Sequence, residues 1–121
     1  MIRHIKTVAV YVTDQKRSLE FYTNKLGFEV RRNEHMGPNA SWIELAPPGA
    51  QTCLVIYPRA MMKNWQELKP SVVFNCDDAH VTCEALAVQG VQITDQPKKM
   101  VWGTYAKFAD PDGNEFLVVS Q

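Results

Sequence analysis

The sequence predicts an α+β fold built from two βαβββ modules with mixed sheets, and three observations carry that reading. Gly103 to Val119 reads as a hairpin turned at Asp110-Pro111-Asp112-Gly113, where proline early and glycine late in the turn pre-set a reversal. A hairpin of the same shape, Ala40–Leu45 and Thr52–Tyr57 around Ala46-Pro47-Pro48-Gly49, precedes it by about 63 residues. At a similar offset Thr7 matches Ser71, Asp14 matches Asp78, Gly27 matches Gly90 and Trp42 matches Tyr105. A long period present twice argues for paired modules and not a solenoid.

Each element has its own signal. Thr7–Val12 alternates as a strand, with Val8, Val10 and Val12 on one face and Thr7, Ala9 and Tyr11 on the other. Asp14 caps a helix that Gly27 stops, and Leu19, Tyr22 and Leu26 form its apolar stripe. A strand starts at Phe28–Arg31, His35–Asn39 reads as a loop, and the first hairpin follows. Residues 59–70 join the modules, with Ala60–Leu68 reading as a short helix. The plan then restarts: a strand at Ser71–Cys76, a helix capped by Asp77 or Asp78 and ended by Gly90, a strand at Val91–Thr94, a loop at Gln96–Gly103, and the second hairpin. The second helix is expected to bury Val81, Ala85 and Val88. Module 1 spans about 5–58 and module 2 about 71–120 of a single domain.

Composition narrows the function classes. Thirteen basic residues balance thirteen acidic ones over 121 residues, and no basic run interleaves with aromatics, which speaks against nucleic acid. No segment resembles a signal peptide or a membrane span. Cys53, Cys76 and Cys83 show no CxxC spacing and read as buried reduced thiols, pointing to the cytoplasm.

Val12-Thr13-Asp14, Ser18-Leu19-Glu20-Phe21-Tyr22, Leu26-Gly27-Phe28, Phe74–Asp78, Gly90-Val91 and Ala109–Glu115 together resemble the glyoxalase / bleomycin resistance protein / extradiol dioxygenase (vicinal oxygen chelate) superfamily over nearly the whole chain. The resemblance implies concave sheets forming a cup, usually around a divalent metal, and a homodimer. It places the metal-ligand positions at Thr7, Ser71, Leu117 and either Leu54 or Ile56. Two hydroxyls and two aliphatic side chains are poor donors for such a cation, so no metal is expected. The resemblance leaves lyase, transferase, dioxygenase and non-catalytic binder all open.

The ligand-binding candidates are Thr7, Tyr11, Trp42, Ser71, Asn75, Trp102, Tyr105 and Leu117, with Val73 and Val119 beside them, a largely apolar lining with a few polar groups. Glu44, alternating with Trp42, is the candidate acid/base; otherwise it is an ordinary strand carboxylate. His4 reads as terminal, His35 as a loop residue able to close over the cup, and His80 as exposed on its helix. No nucleophile–base arrangement is legible. The expected function is binding of a small, partly apolar molecule without cofactor. The alternative is a glyoxalase-like lyase or thiol transferase using a divalent metal with non-standard ligands, served by Glu44 and His35.

Overall fold

In a computed structural model describing all of residues 1–121, the chain divides into two units, Met1–Pro70 and Ser71–Gln121. The first holds β1 (Thr7–Val12), α1 (Gln15–Glu20) continued by a π-helical turn (Phe21–Lys25), β2 (Glu29–Gly37), β3 (Ala40–Ala46) and β4 (Cys53–Pro58). The second holds β5 (Val73–Asn75), α2 (Ala79–Val88), β6 (Gln92–Met100), β7 (Gly103–Ala109) and β8 (Glu115–Ser120). Each unit contains one open four-stranded sheet, ordered β1-β4-β3-β2 and β5-β8-β7-β6. In each, the first and last strands pair in parallel and the others antiparallel. The expected α+β fold of two βαβββ modules is present.

Both helices start where their aspartates dictate. Asp14 accepts the amides of Lys16 and Arg17 at 3.0 and 3.2 Å, and Asp78 those of His80 and Val81 at 2.9 and 3.2 Å. Gly27 and Gly90, with φ of 74° and 84°, take the left-handed turn that ends each helical segment. The buried stripes differ from expectation. On α1 and its π-turn Ser18, Phe21 and Tyr22 are buried, while Leu19 and Leu26 are only half-buried. The π-turn, in which Leu26 N–H bonds to the Phe21 carbonyl at 3.2 Å, rotates Leu26 away from the sheet.

On α2 the inward residues are Ala79, Cys83 and Leu86, whereas Val81, Ala85 and Val88 are exposed, Val81 to 61%. Apolar residues surround this helix, so periodicity alone does not choose a face. The choice is made at its start. The Ala79 N–H donates to the buried Ser120 hydroxyl at 3.0 Å, which turns Ala79 inward and brings the residues four and seven places later with it.

Two strands run further than the sequence predicts, into the segments that read as loops. His35, Met36 and Gly37 continue β2, and Gln96 to Met100 continue β6; the turns are Pro38-Asn39 and Val101-Trp102. β2 and β6 are edge strands, where charged residues and Pro97 cost little because one side of the ladder is unpaired. The joining segment carries two 3-10 turns, Arg59–Met61 and Trp65–Glu67, in place of one helix. Ser71 and Val72 precede β5.

The helix-side face of the first sheet buries Val10, Val12, Ile43, Leu45, Leu54 and Ile56. Gln15 pins α1 there, its amide donating to the carbonyls of Ser41 and Ile56 at 2.7 and 2.8 Å. In the second sheet Phe116, Phe108, Ala106 and Val118 are buried, and Phe74, half-buried, stacks on Phe108 at 6.4 Å and meets Phe116 at a tilt at 5.4 Å.

Candidate functional site

The opposite faces of the two sheets carry the site candidates. Strand register sorts the side chains, because paired residues share a face. In the first sheet Arg32 pairs with Glu44, Glu44 with Val55 and Val55 with Ala9, so one row crosses the face. A second row holds Glu34, Trp42, Tyr57 and Tyr11: Glu34 pairs with Trp42, Tyr57 with Tyr11, and the Trp42 and Tyr57 rings meet edge-on at 6.0 Å. Tyr11 and Tyr57 meet in the same manner, also at 6.0 Å. Three aromatic rings therefore form a continuous half-buried strip, favourable in both area and geometry.

Glu44 lies beside that strip and is only 6% exposed. The Trp42 indole N–H donates to its Oε2 at 2.7 Å, a short charge-assisted bond. Arg32 Nη1 approaches the same oxygen only to 3.9 Å. The Arg32 fork is engaged by Glu34, through Nε at 2.9 Å and Nη2 at 3.0 Å. That hydrogen bond, and then the charge behind it, holds the Glu34 carboxyl below the usual range and raises the Arg32 guanidinium.

Several expected positions move. Register places Thr7 with Cys53 and Tyr11 with Tyr57, so Leu54 and Ile56 face α1 and belong to the core. Val55 takes the place that the resemblance gave to one of them. Thr7 is half-buried on the Tyr11 face, whereas Ser71 is exposed and lies outside any strand. His35 is a strand residue paired with Ser41, on the face opposite Trp42 and Glu44; it is no closing loop and cannot act with Glu44. His80 is exposed on α2.

In the second sheet Asp95, Lys107, Leu117 and Val73 form one row, and Lys98, Tyr105, Val119 and Asn75 the other. Trp102 sits in the β6–β7 turn, 52% exposed, and stacks on Tyr105 at 5.9 Å. A cleft of about 380 Å³ runs along that turn, and one of about 190 Å³ lies between α2 and β6 beside His80, Cys83 and Glu84. The Cys83 thiol beside the latter is pushed up by burial and then by Cys76, which disfavours the thiolate. No group of three or more His, Cys, Asp or Glu side chains is arranged to hold a metal ion.

Sequence reading missed Tyr57, Arg32 and Val55. Their signal is the β1–β4 and β2–β3 register, which alternation within a single strand does not give.

Comparison with known proteins agrees with this frame. The family described as the Glyoxalase/Bleomycin resistance protein/Dioxygenase superfamily matches residues 4–118. An uncharacterized Bacillus subtilis protein, YetH, is 50% identical over 98% of both chains. The crystal structure of a superfamily member from Sphaerobacter thermophilus superimposes with a TM-score of 0.89 at 31% identity, covering 100% of this chain and 99% of that one. TnmS3, an antibiotic binding protein from Streptomyces sp. CB03234, gives 0.83 at 31% identity, covering 98% and 96%.

Proposed function

This chain belongs to the glyoxalase/bleomycin resistance protein/dioxygenase superfamily, and from that premise we propose that it binds a small, partly apolar molecule without a bound metal. The observation that carries the reading is the strip of Tyr11, Tyr57 and Trp42 beside the buried Glu44. Rings with one anchored polar group are the usual make-up of a site for a small, partly aromatic ligand. The antibiotic-binding TnmS3 supports the same class of function by likeness.

A metal-dependent reaction has less support. The family's ligand positions carry Thr7, Val55, Ser71 and Leu117, and neutral hydroxyls and hydrocarbon do not replace the water shell of a divalent cation. A lyase or thiol-transferase reading would rest on Glu44 alone, since His35 lies across the sheet from it. We expect purified protein to hold no stoichiometric transition metal, and EDTA to leave its Tm unchanged. Near-equimolar Ni, Zn, Fe or Mn, lost with an activity on chelation, would overturn this.

Tryptophan fluorescence titrated with uncharged bicyclic aromatics tests the binding. Saturable quenching in the micromolar to millimolar range is expected, weakened at least about tenfold in Trp42→Ala through loss of a stacking partner. Absence of saturation with every compound would remove the reading.

Homodimerisation is part of the same proposal. Val73, Val81, Val88 and Trp102 expose apolar surface that a second copy of the chain can cover in closed two-fold pairing. Light scattering at micromolar concentration is expected to give twice the 13.8 kDa chain mass; the monomer mass would sink the idea. Balanced charge gives no support for nucleic acid, no helix is long and apolar enough to cross a membrane, and three free cysteines suit a reducing cytoplasm.

A further inference from the structure

We infer that Glu44 is the specificity-determining residue of the aromatic face, selecting ligands that donate a hydrogen bond from an N–H or O–H on an aromatic ring. The inference rests on the binding function proposed above and adds a chemical class to it. An ionised carboxylate offers about four acceptor positions and, once buried, is costly unless they are filled. Glu44 is buried, yet the protein supplies one hydrogen bond, from Trp42 to Oε2. Arg32 does not supply a second, because its fork is closed on Glu34 and its nearest nitrogen stands 3.9 Å from that same Oε2. The other oxygen, Oε1, accepts nothing from the protein, and it is not sealed from outside.

Trp42 therefore does two things. It holds the carboxylate in one orientation, and with Tyr57 and Tyr11 it offers ring edges and faces next to that carboxylate. A flat ligand resting on those rings places a ring-borne donor at the level of Oε1, completing the acceptor that the fold leaves half-filled. A ligand without a donor keeps the stacking but cuts Oε1 off from water with no hydrogen bond in exchange, and a site discriminates strongly against such a loss. The equivalent position of the second sheet is Lys107, a donor, so a carboxylate at this register position belongs to the first sheet alone.

The test compares an aminocoumarin with its N,N-dimethyl analogue, both uncharged at neutral pH and both fluorescent. Wild-type protein is expected to bind the primary amine about tenfold more tightly, the equivalent of one hydrogen bond to a charged acceptor. In Glu44→Gln the amide oxygen takes the Trp42 N–H and the amide nitrogen replaces Oε1, turning acceptor into donor at constant shape. The preference should then vanish or reverse, while a merely steric objection to the two methyl groups would survive unchanged. Glu44→Leu, confirmed folded by its melting curve, should likewise bring the two affinities within about twofold. Equal affinities in the wild type, or a preference that persists in both variants, overturn the inference and leave the binding function standing. If neither coumarin binds at near-millimolar concentration, both fall.

Discussion

The two sheets share strand order and register, yet the faces turned away from their helices carry opposite chemistry. In the first, the row reads Arg32, Glu44, Val55, Ala9; in the second, Asp95, Lys107, Leu117, Val73. The cation and anion have changed places between the edge strand and its inner neighbour. Burial differs as well: Val55 is 0% exposed where its counterpart Leu117 is half-buried, and Val73 is 53% exposed where its counterpart Ala9 is half-buried. Even the turns before the last strands are held by opposite groups. Asp110 accepts the amides of Asp112 and Asn114 at 2.9 and 2.8 Å in the second unit, while Arg31 donates to the carbonyls of Ala50 and Pro47 at 3.0 and 3.1 Å in the first. The repeated frame is kept by caps, stops and pairing, and the faces are free to diverge on it. Function is therefore sought in one face and not in the fold.

The sharpest break in the symmetry is a single Cβ. Gly103 opens β7 with φ of 144°, and a Cβ there would meet the Ser120 carbonyl oxygen at 2.5 Å. The matching position in the first unit is Ala40, which carries a side chain at the start of β3. Gly103→Ala is expected to cost about 3–4 kcal/mol through strain and overlap together, and Ala40→Gly only about 0.5–1 kcal/mol. Denaturant unfolding of both variants measures this. A Gly103→Ala loss below that of Ala40→Gly would mean the β7–β8 approach relaxes freely.

Next in size is the contrast between two valines on like faces. Val55→Ala should cost about 2–3 kcal/mol, since two buried methyl groups leave a hole, against under about 1 kcal/mol for Val73→Ala. Urea midpoints decide it. A Val73 loss as large as that of Val55 would place Val73 under cover in solution, as in the proposed dimer.

How much of this was legible follows from which interactions are local. Asp14, Asp78, Gly27 and Gly90 act on amides within a few residues of themselves, so the helix ends could be read directly. The hairpin turns at Pro47–Ala50 and Asp110–Gly113 are local in the same sense, and the pairing of Trp42 with Glu44 follows from two-residue alternation. The inward face of α2 was not legible, because Ser120, forty-one residues away, sets it. Neither Leu54 nor Ile56 shares the Tyr11 face, which was not legible because hairpin length alone leaves strand register open by one residue. Tyr57 was missed for the same reason. The edge strands β2 and β6 look like loops because their solvent-facing residues obey no alternation.

Smaller again are the two caps, where the units are alike and should behave alike. Asp14→Ala and Asp78→Ala each remove a carboxylate bonded to two amides and should each cost about 1 kcal/mol. A markedly smaller loss at Asp14 would show that Gln15, which ties α1 to Ser41 and Ile56, holds that helix without its cap.

The smallest expected effect separates the outer strands by pH. Glu34 is held below the usual carboxylate range by the hydrogen bond from Arg32 and then by its charge, whereas Asp95 and Lys107 form no such fork. A carboxyl with a depressed folded-state pKa adds stability above its ordinary pKa and loses it as pH falls through the folded value. Wild type should therefore melt slightly above Glu34→Gln at neutral pH, and the two curves should converge below the ordinary carboxylate range. Both side chains of the pair are largely exposed, so solvent screens it and added salt should narrow the gap further. A wild type melting below Glu34→Gln at neutral pH would mean that the charge of Glu34 costs the fold more than its bond to Arg32 returns.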